Sequence, residues 1–262
     1  MASTARQLTV IALSGIARIQ PGDDIITMMA RATRAQGIVP GEGDVLVVAQ
    51  KIVSRMQNRF YALADVTPTP QAQVLAERVD KDPRLVELIL QESTAVLKTA
   101  PGVLIVQHRL GHCMANAGID RSNVAGDDDQ VLLLPLDPDG WCDEARRDLS
   151  ATFGVDIGVV MSDSFGRPWR LGTTGVAIGA AGIPARLDVR GRQDLDGREL
   201  EVTQIGLGDE VAAAASILMG QAGEGLPACW VQGIPERGSG AAADLVRPPE
   251  LDLFNTQGDR AR

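Results

Sequence analysis

With 262 residues, 45% of them hydrophobic, the chain can bury one large α/β core or two modest ones, which excludes a disordered or fibrous class. A net charge of −9 and only 3% aromatic residues argue against nonspecific nucleic-acid binding, which needs a basic face and stacking platforms. Cys113, Cys142 and Cys229 fit no metal-ligand spacing, and no apolar run approaches the roughly 20 residues that span a bilayer, so a soluble, cytoplasmic protein with reduced thiols is expected.

The elements alternate along the chain. LTVIAL (8–13) reads as a first strand. The stretch QPGDDIITMMARATRAQG opens on turn residues with an acid at the helix start and stops at Gly37. VLVVAQ (45–50) is a buried strand, followed by two helix starts built alike, Thr69-Pro70 and Asp82-Pro83, each with a capping side chain before a proline. VLIVQH (103–108) is a strand, DGWCDEARRDLSATFG a helix ended by Gly154, and DIGVVMSD (156–163) a strand ending on an acid. DEVAAAASILMG (209–220) is an alanine-rich helix, and ACWVQG (228–233) the last core strand. From about Pro235 the periodicity fades, and a mobile or loosely docked tail is expected, in which LDLF is the one apolar cluster.

Three polar segments stand out against this frame. In ANAGIDRSNVAG (115–126), Asp120 and Asn123 lie three apart among glycines, which suits either a metal and nucleotide contact or a turn closed by Asx hydrogen bonds. In MSDSFGRPWR (161–170), Asp163 and Ser164 follow an apolar strand and offer the hard oxygens that magnesium or manganese prefers. Arg167 and Arg170 are expected in the short loop after it, stiffened by Pro168 and Trp169; capping and solvated roles are the alternative. MGQAGEG (219–225) closes a helix, and its glycines serve either as stop residues or as a backbone wrap for a nucleotide beside Gln221.

Weaker signals surround them. QKIVSR (50–55) places Lys51, Ser54 and Arg55 after a buried strand, as phosphate contacts or as a plain surface turn, and LSGI (13–16) ends the first strand on two small residues. The arginines 167, 170, 186, 190, 192 and 198 suggest a cationic pocket for a small anion. His108 and His112, flanking Gly111, are read as hairpin residues without a metal, and Asp127-Asp128-Asp129 as a solvated loop. There is no GxxxxGK[ST] Walker motif and no GxGxxG dinucleotide fingerprint.

In order, GDD near the N-terminus, VLVVAQKIVSR, ANAGIDRSNV, LLLPLDPDG, SDSFGRPWRLGTTGVAIG, GRQDLDGRELEVT, DEVAAAASILMGQAGEG and LVRPPELDLF resemble the coenzyme F420-0:L-glutamate ligase family, from about residue 8 to 254. The resemblance implies a GTP-dependent γ-glutamyl ligase of deazaflavin biosynthesis that uses Mg2+ or Mn2+, often with K+, and acts as a homodimer on GTP, L-glutamate and coenzyme F420-0. It implies that Asp120, Asp163, Ser164 and Gln221 hold metal, with Asp120 and Asp163 as the catalytic carboxylates. Gln221 stands where some members carry an acid. The implied GTP contacts are Ser14, Gly15, Ile16 and Ala17, then Gln50, Lys51, Arg55 and Asn123, and then Met219, Gly220, Gln221, Ala222, Gly223, Glu224, Gly225 and Leu226.

The expected fold is α/β in the α+β sense: mixed-sheet and two-lobed, with residues 1–235 as the ligase unit and 236–262 as the tail. Some relatives append a flavin-binding nitroreductase-like domain, an activity not expected from a chain ending at Arg262. Two other classes share the residue pattern. A metal-dependent phosphotransferase or phosphatase would release phosphate without glutamate, and a nonenzymatic nucleotide-binding module would form no product.

Overall fold

The apolar runs fold into twelve strands and six helices among the described residues, which in this computed structural model are 6–121 and 129–252. In chain order they are β1 (Thr9–Ala12), α1 (Ile25–Ala35), β2 (Val45–Ala49), α2 (Gln50–Met56), β3 (Phe60–Ala62), α3 (Pro70–Val79), α4 (Pro83–Gln91), β4 (Ser93–Ala100), β5 (Val103–His108), β6 (Cys113–Ala115), β7 (Gln130–Leu132), α5 (Pro138–Phe153), β8 (Gly158–Arg167), β9 (Arg170–Ala181), β10 (Leu187–Asp188), β11 (Gln204–Ile205), α6 (Leu207–Met219) and β12 (Ala228–Gln232). The capping residues act as expected. Asp24 accepts from the Thr27 N–H, Thr69 from Ala72 N–H, and Asp82 from Arg84 N–H.

The main sheet runs β1-β12-β2-β8-β9, with β2 and β8 parallel and every other pair antiparallel. It is a mixed sheet in a mixed α/β fold. Period-2 alternation gives it two buried faces: Leu46, Val48, Val159, Met161 and Trp230 turn toward α1 and α5, while Val45, Val47, Val160 and Val231 turn toward α6. Close helix contact requires glycine at two points of β9. A Cβ on Gly175 would fall 2.4 Å from the Ala212 carbonyl oxygen of α6, and one on Gly179 would fall 2.6 Å from the Pro138 carbonyl oxygen of α5.

A second hydrophobic core forms where α3 and α4 cover one face of the three-stranded sheet β4-β5-β6, with Leu75, Val79, Val86, Ile89, Leu104 and Val106 inside it. An ion cluster ties this part to the segment that leads into α5. Arg59 spans from Glu92, at 3.0 Å, to the Leu134 carbonyl, and Arg109 spans from Glu92 to the Pro135 and Leu136 carbonyls.

Some elements differ from expectation. QKIVSR is a helix, α2, and not a turn. β8 does not stop at Asp163; it continues to Arg167 and returns as β9 after a turn at Pro168 and Trp169, because antiparallel pairing with β9 sustains a polar strand that apolar patterning alone cannot reveal. Of the acidic run, Asp129 forms a two-point ion pair with Arg84, while Asp127 and Asp128 lie outside the described residues. The segment after Pro235 lies along the body up to Asp252: Ala242 is fully buried, and its N–H and that of Ala243 donate to Asp139 at the start of α5. Among the described residues no helix is long and apolar enough to cross a membrane.

Candidate active site

The register of the main sheet builds the site. In the parallel pair, Ala49 at the end of β2 lies opposite Ser162 in β8, so the first residues of α2 emerge beside Asp163. The Gln50 side-chain amide donates to the Asp163 carboxylate, and one helical turn later Ser54 Oγ, fully buried, donates to Gln50 Oε1 at 2.9 Å. Asp120 arrives from the opposite direction, fixed by a reciprocal backbone bridge with Leu132 at 2.9 Å both ways. Lys51 Nζ stands 2.5 Å from Asp120 Oδ2.

One cleft of about 1350 Å3 joins these groups to the end of α6. It is lined by Ile16, Ala17, Gln50, Lys51, Arg55, Asp120, Asp163, Ser164, Met219, Gly220, Gln221, Ala222, Glu224, Gly225 and Leu226. Residues from five distant stretches of sequence thus share one space. Ser14, Gly15 and Gly223 lie off the lining, Ser14 donating to Gln36 Oε1 at 3.0 Å, and Asn123 is outside the described residues. Helix α6 ends at Gly220, whose φ of 68° turns the chain back, and Glu224 accepts from the Ala222 N–H at 2.9 Å to close the turn.

The electrostatics are unequal along the cleft. Burial raises the Asp163 carboxyl to about 6 and the Asp120 charge adds to this, outweighing the Ser164 N–H, Lys51 and the Gln50 amide. Near the mouth, burial and then the neighbouring Arg18 lower Arg55, whose Nε donates to the Ile19 carbonyl while its guanidinium lies 5.3 Å from the Phe60 ring centre. Two guanidinium groups held this close suit the oxygens of a phosphate.

A scan for related families matches residues 15–233 to F420-0:Gamma-glutamyl ligase. The chain belongs to this family. The Coenzyme F420:L-glutamate ligase of Methanopyrus kandleri is 43% identical over 242 residues, covering 90% of this chain and 93% of that protein. The proteins of the same name from Methanothermobacter thermautotrophicus and Archaeoglobus fulgidus are 41% and 38% identical, over 94% and 95% of this chain and 98% and 96% of theirs.

For this member of the γ-glutamyl ligase family, the donor set can be weighed against a divalent ion. Asp120, Asp163, the Ser164 hydroxyl and the Gln221 carbonyl are all hard oxygens, and burial, with the Asp120 charge adding to it, raises the Asp163 carboxyl, so a cation bound beside it would favour its ionised form. Among the described residues no three His, Cys, Asp or Glu side chains gather into a closed cage. Such a set fits magnesium or manganese, which binds through one or two carboxylates, keeps several waters and takes substrate phosphates as further ligands. Gln221 Oε1 accepts from the Thr173 hydroxyl, so an ion there would compete with that contact.

The expected arginine pocket is dispersed. Arg167 lines the cleft, whereas Arg190 pairs with Asp188 and Arg192 lies 4.0 Å from Glu236. The structure adds lining residues that sequence reasoning missed: Arg18, and the wall formed by Val96, Lys98, Ile105 and Met114. The interrupted alternation of STAVLKTA (93–100), where the register shifts between Val96 and Lys98, hid that strand.

Proposed function

We propose that this chain is a GTP-dependent ligase that joins L-glutamate to the acceptor carboxylate of coenzyme F420-0 by an amide bond, with further glutamates added through γ-linkages, in the cytoplasm and as a homodimer, releasing GDP and phosphate. The observation that carries the reading is the meeting of Asp120, Asp163 and Lys51, from three separated segments, in one cleft beside the glycine-rich end of α6. The family match and the names of its relatives support the chemistry. In this reading residues 1–235 supply the ligase and 236–262 a tail, of which the described part, to Asp252, lies along it.

An acid condenses with an amine only after its hydroxyl becomes a good leaving group. Transfer of the GTP γ-phosphoryl group to the acceptor carboxylate gives an acyl phosphate; the glutamate amine then attacks the acyl carbon, the acyl–oxygen bond breaks, and phosphate leaves with the electron pair. Triphosphate and carboxylate repel one another, so the main task of the protein is screening and alignment. Magnesium or manganese held by Asp120, Asp163, Ser164 and Gln221, with potassium as a further cation, supplies charge neutralisation when bound. Lys51 contributes a positive charge beside Asp120, Arg55 and Arg18 meet phosphate oxygens, and Ile16, Ala17 and Met219 to Leu226 surround the nucleotide. The backbone turn at Gly220 brings these last residues close to it.

The test is mass spectrometry of the protein with F420-0, L-glutamate, GTP and Mg2+. The expected product carries one or more added glutamyl masses and appears with stoichiometric GDP. Phosphate release without a glutamyl increment would favour a phosphatase, and nucleotide binding without either would favour a binding module.

A further inference from the structure

The cleft is larger than a single ligand needs. About 1350 Å3 exceeds the roughly 300–1,000 Å3 of ordinary small-molecule sites, and part of its lining has no role so far. That part includes Lys98, Ile105 and Ala115 of the β4-β5-β6 sheet. Along β5 the alternation buries Leu104, Val106 and His108 against the α3–α4 side and turns Val103, Ile105 and Gln107 the other way. Across the strands Lys98 lies opposite Ile105, and Ile105 opposite Ala115, so a row of one cation, one branched aliphatic chain and one methyl group runs along the cleft wall. Phe165 and Trp169, from the β8–β9 hairpin that also carries Asp163, line the same space, and Trp169 is 80% exposed.

We propose that this row is the seat of the acceptor: the flat aromatic body of the acceptor lies between Ile105 and Ala115 on one side and the Phe165–Trp169 hairpin on the other, with Lys98 meeting its negatively charged arm. This rests on the ligase reading, and it assigns that substrate a place. The pleated surface of small and branched residues offers a flat apolar area to a ring system, and ring-to-ring contact with Trp169 adds to it. An acceptor ending in a carboxylate is anionic, and Lys98 gives this wall a positive charge, with Asp252 at its Cys113 edge. From here the acceptor carboxylate points toward Asp120, Asp163 and Lys51, where the phosphoryl group is delivered. The wall therefore serves selection and the far end serves chemistry.

The experiment measures steady-state KM for F420-0, GTP and L-glutamate separately in wild type, Lys98→Glu, Lys98→Arg and Ile105→Glu, after thermal melts establish that each variant is folded. Lys98 is exposed, so its reversal tests the idea even where Ile105→Glu fails to fold. The expected result is a rise of about tenfold in the F420-0 KM for Lys98→Glu and for Ile105→Glu, with the GTP and glutamate KM values within about twofold of wild type and Lys98→Arg close to wild type. A rise confined to the GTP KM would make the wall a base-binding surface, and one confined to the glutamate KM would make it the donor site; either overturns the proposal. Unchanged KM for F420-0 in folded Lys98→Glu also overturns it while leaving the ligase intact. Absence of glutamyl product from the wild-type protein overturns the ligase reading itself.

Discussion

Two carboxylates of this chain sit among charges and end in opposite states. Glu92 would be raised by its burial, but the His108 hydrogen bond and the charges of Arg59 and Arg109 outweigh that and hold it at about 2. Asp163 is likewise enclosed, but its near neighbours include a second carboxylate, Asp120, and it is pushed up to about 6. The first cluster is electrically complete and fastens the α4–β4 corner to the body of the molecule. In the second, burial prevails and the neighbouring acid adds to it. A buried carboxylate whose charge is stabilised marks structure, and one whose charge is disfavoured inside a cleft marks a place for a ligand.

The comparison breaks most sharply at Asp163. Removing one of two carboxylates that face a phosphoryl-transfer site forfeits several kcal/mol of charge stabilisation, so Asp163→Ala is expected to lose about a thousandfold in kcat/KM while its melting temperature is maintained or rises. A folded Asp163→Ala enzyme with near-normal ligation at ordinary Mg2+ would remove the carboxylate from the chemistry.

Glu92→Ala should do the reverse. It leaves the buried Arg59 guanidinium without its counter-charge, at a cost of about 3–5 kcal/mol in a urea unfolding curve. At temperatures where the variant remains folded, its kcat for ligation should stay within a few-fold of wild type. A larger drop in kcat than in stability would show that the cluster reaches the cleft.

The same contrast predicts a pH window. A carboxylate whose folded value is lowered contributes stability above its unfolded value, near 4.5, and loses that contribution as pH falls toward about 2. Glu92 should therefore contribute on the order of 3 kcal/mol at neutral pH, disappearing between about pH 4.5 and 2. Unfolding curves of wild type and Glu92→Gln at pH 7 and pH 3 read this directly: the gap between the two proteins narrows on acidification if the assignment holds.

Much of this was legible in the residues, and what escaped has a physical reason. Elements with strong local signals, such as the Thr69-Pro70 and Asp82-Pro83 helix starts and the wholly apolar VLVVA of β2, are specified by their own chemistry. The β8–β9 hairpin is not: its outer half, SFGR, is polar and half-exposed, and only pairing with a partner strand makes it a strand. Asp120, Asp163 and Ser164 could be singled out because isolated acids beside apolar runs are unusual. The aliphatic wall at Ile105 and Lys98 could not, since an outward-facing sheet row reads as ordinary surface until another part of the chain is placed across from it. Likewise Glu92 carries no sign in the sequence of the two arginines and the histidine that surround it.

Ser54 gives the smallest expected effect and the finest test of the contrast. Its hydroxyl donates to Gln50 Oε1, which commits the amide group of Gln50 to face Asp163 with its N–H side. Without that hydroxyl the amide can turn over and present oxygen to the carboxylate, adding a repulsion beside an acid whose charge burial already disfavours. Ser54→Ala removes one oxygen from a buried position and changes no residue that lines the cleft. A residue that hydrogen-bonds a metal ligand, as Gln50 does, shifts metal affinity by about 10–100-fold in well-studied sites, and Ser54 acts one residue further back. For Ser54→Ala we expect the lower figure, about a tenfold increase in the Mg2+ concentration giving half-maximal rate, with kcat at saturating Mg2+ within about twofold of wild type. If Ser54 serves packing alone, the variant melts earlier and its Mg2+ requirement does not move.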